Sequence, residues 1–165
     1  MRDPTRREVV QGVLAAFGGG MLLDVDTFLA RYGEGARARA QGGVGRFTRD
    51  DVALLDEVAD TILPTTSTPG AKAAQTGAIM ALMVTDTYSD RDQKVFRDGM
   101  KTLDDRCRSM HGHGFMEATP AHRLALLEVL DREQYDYQKQ KAAEQPTHYF
   151  RLMKGLAMKG YFTSE

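Results

Sequence analysis

The residues of this chain that could do chemistry are few. His111-Gly112-His113 is a histidine pair of the kind that can hold a metal, but no Cys or carboxylate stands beside it at ligand spacing. A polar turn at the surface explains it as well. Cys107 falls on the apolar stripe of a helical pattern, the place of a buried structural thiol rather than a nucleophile. Asp50-Asp51 and Asp104-Asp105 fall at helix starts or surfaces, where carboxylates favour the helix dipole, and form no acid–base pair. The sequence has no GxGxxG, no Walker loop and no CxxCH, so the chain has no visible means of holding a nicotinamide, a flavin or a haem. Gly18-Gly19-Gly20 follows no strand and is not a dinucleotide loop. The reading is of a chain with no catalytic residue and no metal or cofactor site of its own.

Two stretches look unlike plain structure. Thr68-Pro69-Gly70, just past Pro64, is a rigid loop between helical patterns, and such loops often carry contacts. Gly160-Tyr161-Phe162-Thr163-Ser164-Glu165 places two aromatics beside small polar residues after a glycine expected to end a helix, which suits an anchor for a partner. The bland readings are a helix connector and aromatics folding back on the core.

The elements that must position these stretches read as helices. Thr48 with Asp51 makes a capping box, flanked by a Phe47/Val52 staple; Val52, Leu55, Val58, Ala59 and Ile62 then share one face until Pro64. Helix is expected from near Ala71 to about Tyr88, with a weak point at Gly77. Ser89 and Asp92 cap the next, whose face is Val95, Phe96, Met100, Leu103 and Cys107 and which ends at Gly112-His113-Gly114. Thr119-Pro120 starts another, with Leu124, Leu127 and Leu130 as its buried stripe and Leu126 at the edge. After Asp131 that stretch turns polar and aromatic. A last helix follows Pro146-Thr147, with Tyr149, Phe150, Met153, Leu156 and Ala157 inward. No stretch alternates as a strand would. The fold expected is all-α: an irregular bundle of four to five helices over residues 46–165, following an N-terminal signal and linker over residues 1–40.

Arg6-Arg7 precedes an uncharged run from Val9 to Leu23, and Ala38-Arg39-Ala40 follows later, the layout of a twin-arginine secretory signal with Ala40 as the candidate cleavage point. The run falls short of the ~20 residues of a spanning helix. Gly33–Gly45 has no period and reads as a linker. An uncleaved membrane anchor is the alternative for this end.

Charges nearly cancel, 22 basic against 23 acidic, which speaks against non-specific nucleic-acid binding. One cysteine rules out an intramolecular disulfide. Nine methionines suit adaptable packing in a core or interface.

Several stretches together resemble a known family. They are Ala59-Asp60-Thr61-Ile62-Leu63-Pro64, Thr68-Pro69-Gly70-Ala71-Lys72-Ala73-Ala74, Thr119-Pro120-Ala121 through Leu130-Asp131, Tyr149-Phe150-Arg151-Leu152-Met153-Lys154 and the Gly160–Glu165 end. Over about residues 46–165 the chain resembles subunit 3, the small or gamma subunit, of the gluconate 2-dehydrogenase type. Members known to us continue past the FTSE segment with an extended tail, and this sequence stops at Glu165. The resemblance implies a non-catalytic partner of a large FAD-containing flavoprotein of the glucose–methanol–choline oxidoreductase type. A cytochrome c subunit often takes the electrons, and the complex oxidises a sugar or sugar-acid hydroxyl in the periplasm. It implies partner contact through Pro64, Thr68, Pro69, Gly70, Tyr161, Phe162, Thr163, Ser164 and Glu165, and membrane association only through the complex or an uncleaved signal. A free-standing exported helical binding domain is the alternative, and a small metal enzyme using His111 and His113 a remoter one.

Overall fold

The computed structural model describes residues 25–162. The twin-arginine pair Arg6 and Arg7 and the tail Thr163-Ser164-Glu165 lie outside the described residues. Within them the protein is all-α: α1 Val25–Tyr32, α2 Glu34–Ala40, α3 Arg49–Ile62, α4 Thr76–Thr87, α5 Asp90–His111, α6 Pro120–Gln140 and α7 Tyr149–Phe162. Five of these, α3 to α7, make up the bundle expected over residues 46–165. Among the described residues no helix is long and apolar enough to cross a membrane.

Local chemistry sets the helix starts. Thr48 Oγ1 accepts from Asp51 N at 3.2 Å while Asp51 Oδ2 accepts from Thr48 N at 2.7 Å, a closed capping box. Ser89 Oγ accepts from Asp92 N and Thr119 Oγ1 from His122 N, with Pro120 in the first turn of α6. Gly112, left-handed at φ 84°, ends α5.

Helix α4 is the centre of the bundle. Thr76, Gly77, Ala78, Ile79, Met80, Ala81, Met83 and Val84 are all buried, so the helix is apolar on nearly every side and needs cover all round. Helices α3, α7, α5 and α2 pack on it. Leu55, Phe96, Leu103, Leu126, Leu130, Phe150 and Met153 complete the core. Phe96 meets Phe47 and Tyr88 edge-on at centroid distances of 6.0 and 6.4 Å.

Three expectations are corrected. The stretch Gly33–Gly45, read as a linker, contains helix α2, with Arg37 and Ala40 at 5% and 1% exposure. Its alanines at positions 36 and 40 are one turn apart and small enough to let the helix approach α4 closely. On α6 the buried leucines are Leu126, Leu127 and Leu130, while Leu124 is 48% exposed. Leu127 and Leu130 face inward as expected, and Leu126 takes the inward place given to Leu124, because the neighbours of α6, not its own sequence, choose which leucines turn inward. Residues 71–75 form turns, and the second helix of the bundle begins only at Thr76. Gln75 there adopts a left-handed conformation at φ 54°, which breaks the helical run.

Candidate partner-binding surface

The loop after α3 is closed by the chain's own polar groups. Leu63 caps α3, its N–H bonded to Ala59 O, and Pro64 has no N–H to carry the helix on. Residues 64–69 are exposed. Thr66 N donates to Thr68 O at 3.0 Å, and Ala71 N reaches back to Leu63 O at 3.0 Å, so the loop returns beside its starting point. Gly70 N donates to Thr65 Oγ1 at 3.0 Å. Gly70 itself is buried: a Cβ there would meet Asp60 Oδ1 and Thr65 N at 2.6 Å, closer than a side chain allows. Its contribution is therefore to the shape of the loop.

The C-terminal helix meets this loop from 92 residues away. Tyr161 OH donates to Pro69 O at 2.9 Å and lies 3.3 Å from Thr68 Oγ1. Gly160 lets α7 lie close on α4, since a Cβ there would meet Thr76 Cγ2 at 2.9 Å. The expected helix end at Gly160 is corrected: α7 runs through it to Phe162, which is 37% exposed and packs edge-on against Tyr161 at 5.2 Å. The structure thus brings Thr68 and Pro69 together with Tyr161, with Phe162 against the Tyr161 ring and Gly70 buried within the loop.

Beneath the loop lies an acidic edge of α3 that sequence reading missed. Asp60 Oδ1 accepts from Lys72 N at 3.1 Å, and Asp56 Oδ1 from Gly77 N at 2.7 Å. Glu57 is paired with both Lys72 and Arg123, tying α6 to the same edge. Burial pushes the Asp56 carboxyl up to about 6; the Gly77 N–H and Lys72 pull the other way and offset only part of this. The signal in the sequence was the spacing of Asp56 and Asp60, four apart and so on one face. What they hold is the backbone of a later segment, which no local pattern reveals.

The other candidate residues lie elsewhere. His111 stacks on His122 with centroids 4.2 Å apart and rings nearly parallel, and His113 lies 6.2 Å from His122. His122 was not singled out in the sequence. Among the described residues, no group of three or more His, Cys, Asp or Glu side chains is gathered to hold a metal ion. Cys107 is buried, and that burial pushes its thiol up, away from the reactive thiolate. A cleft of about 360 Å³ between the start of α3 and the end of α5 mixes Asp50, Asp51 and Asp104 with Arg97, Lys101 and Arg108. Charges of both signs around one space neutralise each other and favour no one ligand class.

No curated protein and no solved structure matches the chain. Residues 49–165, from the capped start of α3 to the end of the sequence, match the family described as gluconate 2-dehydrogenase subunit 3, and the chain belongs to that family.

Proposed function

We propose that this chain is the non-catalytic small subunit of an exported sugar or sugar-acid dehydrogenase complex. In this reading its partner is a large flavoprotein of the glucose–methanol–choline type that carries the FAD, with a cytochrome c subunit as a further member of the complex. The family name, a subunit of a dehydrogenase, supports protein partners as the chain's business. The observation that carries the reading is the Tyr161–Pro69 hydrogen bond. It ties the exposed loop 64–69 to the half-buried Tyr161 and so to the exposed Phe162 next to it, and a rigid surface loses less conformational freedom on docking than a loose one.

The small subunit would act by mass action. It covers part of the folded flavoprotein, and whatever binds only the folded state stabilises it. Arg6 and Arg7 supply a twin-arginine signal, a route that carries folded proteins. A flavin is inserted before export, so the small subunit would take a signal-less flavoprotein across with it to the periplasm. Membrane association would then come only through the complex or an uncleaved signal.

The test is co-expression with a large flavoprotein of the glucose–methanol–choline type from the same genome, pulling down on this chain. A yellow partner with dye-linked sugar dehydrogenase activity is the expected result. A colourless chain purifying alone would overturn the reading in favour of a free-standing helical domain. The double change Tyr161→Ala and Phe162→Ala should reduce the recovered flavoprotein at least several-fold; undiminished recovery would remove this surface from the interface.

A further inference from the structure

The segment before the bundle carries more tertiary structure than a leader or a linker requires. Tyr32 is fully buried, Ala36 is 9% exposed, Arg37 5% and Ala40 1%. Arg31 Nε donates to Asp86 Oδ2 at 2.9 Å, in the last turn of α4. The Arg37 guanidinium donates to Tyr32 O at 3.2 Å and to Ala74 O at 3.4 Å, in the turn just before α4. The segment is therefore fastened near both ends of α4, the helix that is apolar on nearly every side.

A cut after Ala40 would remove Tyr32 and the buried face of α2. It would open to water a part of α4 that no other described element covers in their place, and apolar area exposed to water is destabilising at about 25 cal/mol per Å². A processing site also has to enter a protease as extended chain, whereas Arg37 and Ala40 are buried in a helix.

We propose that maturation of this chain spares Arg31–Ala40: any cut falls before Arg31, and the end of α1 with all of α2 stays on the mature subunit as a strap across α4. The cleavage part of this rests on the export reading above, whereas the strap stands on packing alone. The candidate cleavage point at Ala40 is thereby set aside.

Two measurements test it. The first is the intact mass of the subunit recovered from the periplasm of cells making the full chain. A mature N-terminus at or before residue 31 is expected; one beyond residue 31 overturns the proposal. The second is thermal unfolding of the purified full chain and its Tyr32→Ala variant. A fall in Tm of about 10 °C is expected, as for removing a buried aromatic side chain from a domain of this size. An unchanged Tm overturns the strap. A chain found only in the cytoplasm with its leader intact would sink the export reading, and the unfolding arm would still decide the strap.

Discussion

Two glycine-containing stretches, 33–45 and 64–70, look alike in sequence: short, non-periodic and framed by turn-forming residues. They take opposite roles. The first folds as helix α2 and buries Arg37 and Ala40 against α4. The second stays an exposed loop, held by side-chain and backbone hydrogen bonds from Thr65, Asp60 and Tyr161. The difference lies in what each can offer a neighbour. Alanines one helical turn apart make a thin face that another helix can touch. Two prolines and a run of Thr and Ser make no such face and compete with helix by bonding their own backbone.

The sharpest way to break this contrast is at the glycines. Gly70→Ala drives a methyl group into Asp60 and the Thr65 backbone. We expect a loss of about 1–3 kcal/mol, read as a lower urea midpoint, with weaker recovery of the flavoprotein partner.

The polar footing of the loop can be probed through pH. Asp56 titrates at about 6 in the folded chain against an ordinary value of 3.8, so the native state binds the extra proton between these values. Its contribution favours the folded state at low pH and is lost as pH rises from about 4 to about 6. Asp56→Asn keeps an oxygen for the Gly77 N–H but never ionises. The variant should exceed the parent in stability by about 1–2 kcal/mol at pH 7, after allowance for solvent screening, with the gap closing toward pH 4. Denaturation curves at both pH values check this, and a gap independent of pH would refute the assignment.

Tyr161→Phe removes the hydroxyl that ties α7 to the loop while keeping the ring. A loss of about 0.5–1.5 kcal/mol is expected. Faster hydrogen exchange at the Thr66 N–H, which depends on the loop staying closed, would localise the effect. Smallest is Gly35→Ala in α2, where nothing stands within 4 Å of the added methyl. If 33–45 were a linker, the change would do nothing. Since it is helix, a gain of about 0.5–1 kcal/mol is expected from propensity, readable as a small rise in Tm.

What was legible in the sequence was what neighbours within three or four residues decide. The capping box at Thr48, the caps at Ser89 and Thr119, the stop at Pro64 and the inward faces of α3, α5 and α7 all rest on such short-range geometry. Two stretches of the candidate surface were legible too, by composition alone.

Their union was not. Tyr161 meets Pro69 across 92 residues and Asp56 meets Gly77 across 21, and no local pattern encodes a partner that distant. The same limit hid Leu126 behind Leu124, since both fit an amphipathic helix and only the neighbours of α6 choose between them. The sequence by itself determined the all-α class and the starts of α3, α5 and α6, because capping and periodicity act along the chain. The tertiary structure alone decided that α2 belongs to the core and that the loop and the C-terminal helix form one surface. A helix as apolar as α4 must be covered on every side, and what covers it depends on which segments the fold brings within reach.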